Sequence, residues 1–227
     1  MATTSAHNSN LSAAEKELLR WHFRLGHLTY DKLKKLAERG EITKKLRDAN
    51  PPKYSGFLFG AMTKVPWRTK GQNQSKVFMT TYPGQCASVD QFQSTQAGFV
   101  AQLKGKLTTR RYYYGTIFVD HFSRLRYVHF MTAQTSAETL QAKQAFEKFA
   151  AERGVRIKHY HCDNGRFADN AFKQACEQAR QQLTFCGVNA HFQNGIAKHA
   201  IRDLSESACK QLLHARACWL AAVHLTL

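Results

Sequence analysis

The fold class of this chain follows from the stretch Val155-Arg-Ile-Lys-His-Tyr-His-Cys-Asp-Asn-Gly165. Its first eight residues are rich in β-prone side chains and predict a strand, and an Asp-Asn-Gly run follows directly. An Asp just past a strand stands where functional side chains converge in open α/β sheets. The stretch therefore predicts an α/β sheet with a site at its strand ends. By composition alone, an ordinary turn at Asp163 is the favoured alternative.

The elements on either side of this stretch predict a mixed sheet flanked by helices. Capping boxes at Ser12 and Thr135 mark two helix starts, and β-rich segments alternate with helical ones along the rest of the chain. The predicted strands are 86–92, 112–120, 126–131, 155–162 and 183–188. The predicted helices are 12–25, 31–39, 135–154, 169–180 and 196–217. The first strand is expected to end near Asp90, which would then share the strand-end site with Asp163.

The charge of the chain indicates a polyanionic partner. Lys and Arg number 33 against 16 Asp and Glu, which gives a formal net charge of +17. Nucleic acid is the first candidate, because phosphate contacts release counterions and add affinity regardless of sequence. The residues expected to bind nucleic acid are Lys104, Lys106, Arg110, Arg111, Asn194, Lys198 and Arg202. Tyr112 to Tyr114 are expected to be structural strand residues, and a solvated helix face is the alternative for Lys198 and Arg202.

The remaining composition favours a reduced, intracellular protein. The six Cys form no Cys-x-x-Cys pair, and the polar start of the chain has no secretory apolar segment. No stretch approaches the roughly 18 apolar residues of a membrane span, so no membrane partner is expected. Residues 1–11 are predicted to be a disordered tail.

Five short motifs resemble those of copia-type (Ty1/copia) retrotransposon integrases and occur in the same order. They are Trp21-His-Phe-Arg-Leu-Gly-His27, Ser88-Val-Asp90, Phe118-Val-Asp-His-Phe-Ser-Arg124, Cys162-Asp-Asn-Gly165 and Gln193-Asn-Gly-Ile-Ala197. The resemblance implies a small helical pre-integrase module with its linker in 12–75. It implies an RNase H-like integrase core in 76–227, cut short at its C-terminus. It also implies DNA as partner, with RNA and a homo-oligomer as further options, and a nuclear location.

The resemblance implies a catalytic site that lacks one member. Asp90 and Asp163 match the first two carboxylates of the family's Asp, Asp, Glu triad, which uses Mg²⁺ or Mn²⁺ to process and join DNA ends. The third position is Lys198, whose ammonium has no lone pair and is repelled by a metal ion. We therefore expect a nucleic-acid-binding, integrase-like domain with weak or lost metal binding and catalysis.

Two alternatives to this expectation stay open. One is an active metal-dependent polynucleotidyl transferase or nuclease in which Glu138, Glu177 or Glu206 replaces the missing carboxylate. The other is a non-enzymatic fragment of a transposable element.

A zinc site is implied by the resemblance but is incomplete in this chain. His22 and His27 match the family's two His ligands, whereas Tyr54 and Phe57 stand at the positions of its two Cys. Five positions on a helix subtend about 140°, so the two His share a face poorly unless Gly26 breaks the helix. Structural zinc takes four ligands, and two His alone make a poor site. Ordinary packing histidines are the favoured alternative.

Overall fold

The computed structural model describes residues 11–52, 79–99, 102–103, 106–107, 109–187 and 194–224. The chain divides into two compact units, one formed by residues 1–69 with 203–227 and the other by residues 70–202. The first unit thus includes the later part of the last helix. The sequence had predicted a single domain boundary near residue 76. Most of the predicted tail and most of the predicted linker lie outside the described residues.

The first unit is a small helical cluster. Helix α1 (Ala13–Arg24) begins at a capping box, in which Ser12 Oγ accepts from the Glu15 N–H at 3.3 Å and Glu15 Oε2 accepts from the Ser12 N–H at 2.8 Å. Helix α2 (Tyr30–Glu38) and a 3-10 turn (Lys44–Leu46) follow. Apolar side chains at helical spacing form its core, namely Leu18, Leu33, Ala37 and Leu46. Burial of this stripe is what holds two short helices that would be marginal alone.

The second unit is built on a five-stranded mixed sheet. Its strands are β1 (Ala87–Phe99), β4 (Arg111–Asp120), β5 (Arg126–Met131), β6 (His159–Cys162) and β7 (Gln182–Phe185), in the order β5-β4-β1-β6-β7. Strand β1 is antiparallel to β4 and parallel to β6, and β6 is parallel to β7. A separate small hairpin joins β2 (Gln102–Leu103) to β3 (Lys106–Leu107). The predicted α/β class, a mixed sheet flanked by helices, is confirmed.

Helices lie on the faces of this sheet. They are α3 (Ser136–Ala151) and α4 (Asn170–Gln178), followed by α5 (Gly195–His224), which begins in this unit. The main core packs Phe118 and Tyr160 from the sheet against Phe146 of α3 and Phe172 of α4. On the opposite face, Ile117 and Val119 pack with Ala197 and Ala200 of α5. Alternation along β4 therefore puts consecutive residues into two different cores.

Two strand boundaries differ from the predicted ones by four residues or more, and β7 ends at Phe185 where the sequence predicted residue 188. Strand β1 continues past Asp90 to Phe99, with a register irregularity between Gln93 and Gly98, so Asp90 lies within the strand. The longer strand exists because the start of β4 continues to pair with it. Strand β6 begins only at His159, since pairing with β7 starts there; residues 155–158 precede the ladder. Among the described helices, none combines the length and apolarity needed to cross a bilayer.

Candidate functional site

Asp90 and Asp163 come together at one edge of the sheet. Val89 of β1 is the register partner of Cys162 in the parallel strand β6. Asp90 follows Val89 within β1, and Asp163 follows Cys162 directly after β6 ends. Such strands lie about 4.8 Å apart. Both carboxylates line a cleft of about 450 Å³, and Asp90 is 7% exposed. Strand pairing thus brings together two residues that are 73 positions apart in the sequence.

Local hydrogen bonds orient the two carboxylates. Asp90 Oδ1 accepts from the N–H of Gln91 at 2.9 Å. Asp163 Oδ1 accepts from the N–H of Gly165 at 3.2 Å, and a Cβ on Gly165 would lie 3.2 Å from that same oxygen. Glycine therefore lets the loop close beside the carboxylate. The turn favoured by composition is present, and the turn-forming Asp163 also faces the cleft.

The pKa of the Cys186 thiol depends on the charges around Asp90 and Asp163. Burial raises the pKa of Cys186, and the charges of Asp163 and Asp90 raise it further, whereas Lys198 lowers it. Both carboxylates and the ammonium are therefore within electrostatic range of one buried sulfur. Lys198 lies in the first turns of α5 and is half-buried. The site thus combines two anions with a neighbouring cation.

The substitute carboxylates suggested by the sequence do not line this cleft. Glu138 instead accepts the Thr132 N–H at 2.7 Å, and neither Glu177 nor Glu206 is among the lining residues. Asp169 lines the cleft, with Oδ2 accepting from Ser136 Oγ at 2.6 Å. Sequence reasoning missed Asp169, because it reads as an ordinary helix start. Within the described ranges, no group of three or more His, Cys, Asp or Glu is placed to hold a metal ion.

Asn194 was predicted to contact nucleic acid, but its side chain is buried inside the second unit. Its side chain is fully buried, and Nδ2 donates to the Val89 carbonyl at 2.9 Å. Its Oδ1 is buried without a hydrogen-bond partner in the part of the chain that the structure describes. Asn194 thus ties the start of α5 to the strand residue before Asp90. A buried amide engaged with backbone does not fit a phosphate contact, so this expectation is corrected.

Most of the other residues predicted to contact nucleic acid lie in the part of the chain that the structure describes. Arg110 and Arg111 are exposed at the start of β4. Arg202 is exposed on α5, with Nη2 3.0 Å from Nδ1 of His199. Lys106 belongs to β3, and Lys104 lies outside the described residues.

His22 and His27 are brought together in the first unit. Helix α1 ends at Arg24, and Gly26 (φ +63°) and His27 (φ +61°) turn the chain back. His22 Nδ1 donates to the Leu28 carbonyl at 2.8 Å, so its Nε2 carries the lone pair in the neutral ring. His27 Nδ1 lies 3.1 Å from this Nε2. Both rings are buried, and the predicted partners Tyr54 and Phe57 lie outside the described residues.

Comparison with known proteins yields one curated relative and several distant structures. No protein-family model matches the chain. Over 216 residues, 91% of the chain, it is 26% identical to the Retrovirus-related Pol polyprotein from transposon TNT 1-94 of Nicotiana tabacum. The chain spans only 14% of that polyprotein's length.

Solved structures similar to the chain include viral integrase catalytic core domains, with low sequence identity. The HTLV-2 integrase catalytic core domain in complex with magnesium is 18% identical, with a TM-score of 0.38 over 52% of this chain and 66% of that one. The BIV integrase catalytic core domain is 16% identical, with a TM-score of 0.39 over 54% and 68%. A chain from the simian T-cell lymphotropic virus intasome in complex with PP2A regulatory subunit B56 gamma is 17% identical, with a TM-score of 0.43 over 56% of this chain and 47% of that one.

Proposed function

We propose that this chain, an integrase-like retrotransposon protein, binds nucleic acid but has lost efficient DNA strand transfer. The observation that carries the proposal is a cation within electrostatic range of the same buried thiol as the two carboxylates, although Lys198 is not among the residues that line the cleft. Lys198 acts on the same buried Cys186 thiol as Asp90 and Asp163, with the opposite sign. The two carboxylates can still bind a metal ion, whereas the positive charge of Lys198 weakens that binding.

The donor set fits one hard divalent cation better than two. Mg²⁺ prefers oxygen ligands and is commonly held by one or two carboxylates together with substrate phosphates, which Asp90 and Asp163 can supply. Phosphodiester chemistry by two ions needs a pair about 3.5–4 Å apart, each with ligands of its own. The ammonium of Lys198 offers no lone pair and repels a second cation. We infer weak binding of one Mg²⁺ or Mn²⁺ and little strand transfer.

Binding to nucleic acid is supported by charge and by exposed cations. The net charge of +17 favours a phosphate backbone as partner, and Arg110, Arg111 and Arg202 lie at the surface of the second unit. Phosphate contacts of this type give affinity and position without sequence preference. DNA is the proposed partner by similarity to the retrotransposon polyprotein, and self-association and a nuclear location remain proposals on the same ground.

A second candidate function rests on the position of Asp169. Asp169 lines the cleft with Asp90 and Asp163 and is the candidate to replace the missing carboxylate in an active metal-dependent nuclease or transferase. As they stand, the three carboxylates do not form a metal-binding group among the described residues, so this function requires Asp169 to move towards the other two. The hydrogen bond from Ser136 to Asp169 Oδ2 occupies one of its oxygens and opposes this role.

Duplex binding and cleavage, measured in parallel on the full chain, test the proposal. We expect fluorescence anisotropy to show binding that weakens about tenfold or more between roughly 50 and 200 mM salt, as two or more phosphate contacts require. We expect no nicking or strand transfer with Mg²⁺ or Mn²⁺. Salt-insensitive or absent binding would overturn the proposal. Cleavage that disappears in both Asp163→Asn and Asp169→Asn would favour the second candidate.

A further inference from the structure

Three cationic side chains form a row along the solvent-facing side of helix α1. They are Lys16, Arg20 and Arg24, spaced four positions apart, and all three are exposed. Four positions of an α-helix advance about 6 Å along its axis and about 40° around it, so the three side chains project to one side over about 12 Å. Leu18 and His22 lie on the opposite, buried face. We call the three cations the α1 basic row.

The α1 basic row has no counterions among the described residues. Within the ranges that the structure describes, none of its three members forms an ion pair. The two acidic residues of α1 are bound elsewhere. Glu15 Oε2 accepts from the Ser12 N–H at 2.8 Å, and Glu17 Oε1 accepts from the Thr43 hydroxyl at 2.9 Å. The row therefore presents three positive charges to solvent.

The spacing of these charges is unfavourable for the helix by itself. Cations one turn apart repel each other and destabilise a helix, and the row contains two such pairs. Helix α2 has a different pattern, in which Asp31 and Glu38 lie one turn from Lys35 on either side. Alternating signs of that kind are typical of a solvated helix face. A line of phosphates along α1 would remove the repulsion within the row.

The Trp21 ring holds one end of the row. The guanidinium carbon of Arg24 lies 4.8 Å from the centre of this ring, and the ring packs against the core of the first unit. An arginine stacked on an aromatic face keeps its planar set of N–H donors for a phosphate, which it can bind through two parallel hydrogen bonds. Arg24 therefore loses little side-chain freedom when it binds one.

The backbone of a DNA duplex fits such a row. A duplex carries about one negative charge per 1.7 Å of its axis, so a row of about 12 Å meets several phosphates at once. Each phosphate contact releases counterions and adds affinity regardless of base sequence. Contacts of this kind fix the position of a protein on the duplex without reading its bases.

We propose that the α1 basic row is a second surface for nucleic acid, located on the first unit, and that it binds the phosphate backbone of a DNA duplex. This inference rests on the proposed function, because it assigns a further contact with the same partner. The exposed arginines that support the proposed function belong to the second unit, so the two surfaces can be tested separately.

Salt-dependent binding to a short DNA duplex, measured by fluorescence anisotropy on the full chain, tests this proposal. One variant combines Lys16→Gln, Arg20→Gln and Arg24→Gln, and a second carries Arg20→Gln alone. Glutamine has a helix propensity close to that of lysine and arginine, so α1 should persist in both. The triple variant should melt no lower than the parent, because it removes the repulsion within the row.

The matched control removes the same charge from helix α2 and its C-terminal end. It combines Lys32→Gln, Lys35→Gln and Arg39→Gln, all at exposed positions. Circular dichroism confirms that every variant is folded.

We expect the triple α1 variant to lose at least about tenfold in duplex affinity at roughly 100 mM salt. Its plot of log affinity against log salt concentration should become less steep by roughly 2–3, because each lost phosphate contact removes about 0.9 from the slope. Arg20→Gln alone should remove about 0.9, and the α2 control should remove less than about 0.9.

Two outcomes would overturn the α1 surface while leaving the proposed function intact. They are equal losses in the α1 and α2 triple variants, and unchanged affinity and slope in the α1 triple variant. Absence of duplex binding by the parent chain would instead overturn both the surface and the proposed function.

Discussion

Lys143 Nζ donates to Glu147 Oε1 across 2.8 Å in the interior of the second unit. The same oxygen accepts from the Tyr160 hydroxyl at 2.9 Å and from Gln181 Nε2 at 2.6 Å. The Lys143 side chain is only 4% exposed. One carboxylate therefore joins helix α3 to strand β6 and to the residue before β7, on the side of the sheet away from Asp90.

Glu147→Ala should destabilise the second unit strongly. The change leaves a buried ammonium without its counterion and two further donors without their acceptor, which typically costs about 3–5 kcal/mol. Chemical denaturation followed by circular dichroism measures the loss. Glu152→Ala is the control, because its contact with Arg153 is long (3.9 Å) and solvent-exposed and should contribute less than about 1 kcal/mol. Equal effects of the two changes would show that the network does not hold the fold.

Lys198→Glu should restore metal binding at the carboxylate site. The substitution replaces a cation with a carboxylate in the first turns of α5, within electrostatic range of the same buried Cys186 thiol as Asp90 and Asp163. We expect Mn²⁺ to bind at least about tenfold more tightly by isothermal titration calorimetry, since one added anionic contact at this range contributes at least about 1.4 kcal/mol. Lys198→Gln removes the positive charge without adding a negative one, and its affinity should fall between those of the parent and Lys198→Glu. Unchanged affinity in both variants would show that Lys198 does not act on the site.

His22→Ala should lower the melting temperature more than removal of metal ions does. His22 is fully buried, and loss of its ring in His22→Ala leaves the Leu28 carbonyl without this donor, at a cost of about 2 kcal/mol. EDTA should leave the melting temperature unchanged, because two His make a poor zinc site. Arg20→Ala, an exposed change on the same helix, is the control. A melting temperature that falls with EDTA would show that residues outside the described ranges complete a zinc site.

The stability of the second unit should fall as the solution is acidified. Burial, with Arg124 and neighbouring histidines, lowers the pKa of His121 from its usual 6.5 to about 4, while Asp120 opposes this shift. The ring is 5% exposed and its Nε2 lies 2.8 Å from Ser88 Oγ. Between pH 6.5 and 4, His121 binds a proton in the unfolded chain but not in the folded one. The free energy of unfolding of the second unit is therefore highest above pH 6.5 and decreases as the pH falls towards 4.

Melting temperatures across this pH range measure the effect. His121→Gln keeps a hydrogen-bonding side chain beside Ser88 but cannot titrate, so its melting temperature should depend less steeply on pH. His199→Gln, at an exposed position of α5, should retain the parent's slope. A His121→Gln profile parallel to that of the parent would assign the acid sensitivity to other groups.

The sequence by itself determined the order of the elements, the two helix caps and the identity of the two carboxylates. These are local properties: the capping box at Ser12 is complete within four residues, and so is the cap at Thr135, whose side chain accepts from the Glu138 N–H at 3.2 Å. The predicted capping box at Thr135 is not completed, because the Glu138 side chain accepts from the Thr132 N–H instead. Runs of β-prone residues likewise indicate strands without reference to distant parts of the chain. The motifs likewise marked Asp90 and Asp163 without any knowledge of where they lie. The sequence could not set where strand β1 ends, because that depends on how far its partner β4 continues to pair.

Only the tertiary structure decided what those residues meet. Strand pairing brings Asp90 beside Asp163, and a hydrogen bond across 105 positions buries Asn194 against Val89. The same pairing exposes Tyr113 while it buries Tyr112, although the two are chemically identical neighbours. Such outcomes depend on register and on which helix covers which face. A one-residue slip would reverse them, and that information is held in long-range packing, not in local sequence.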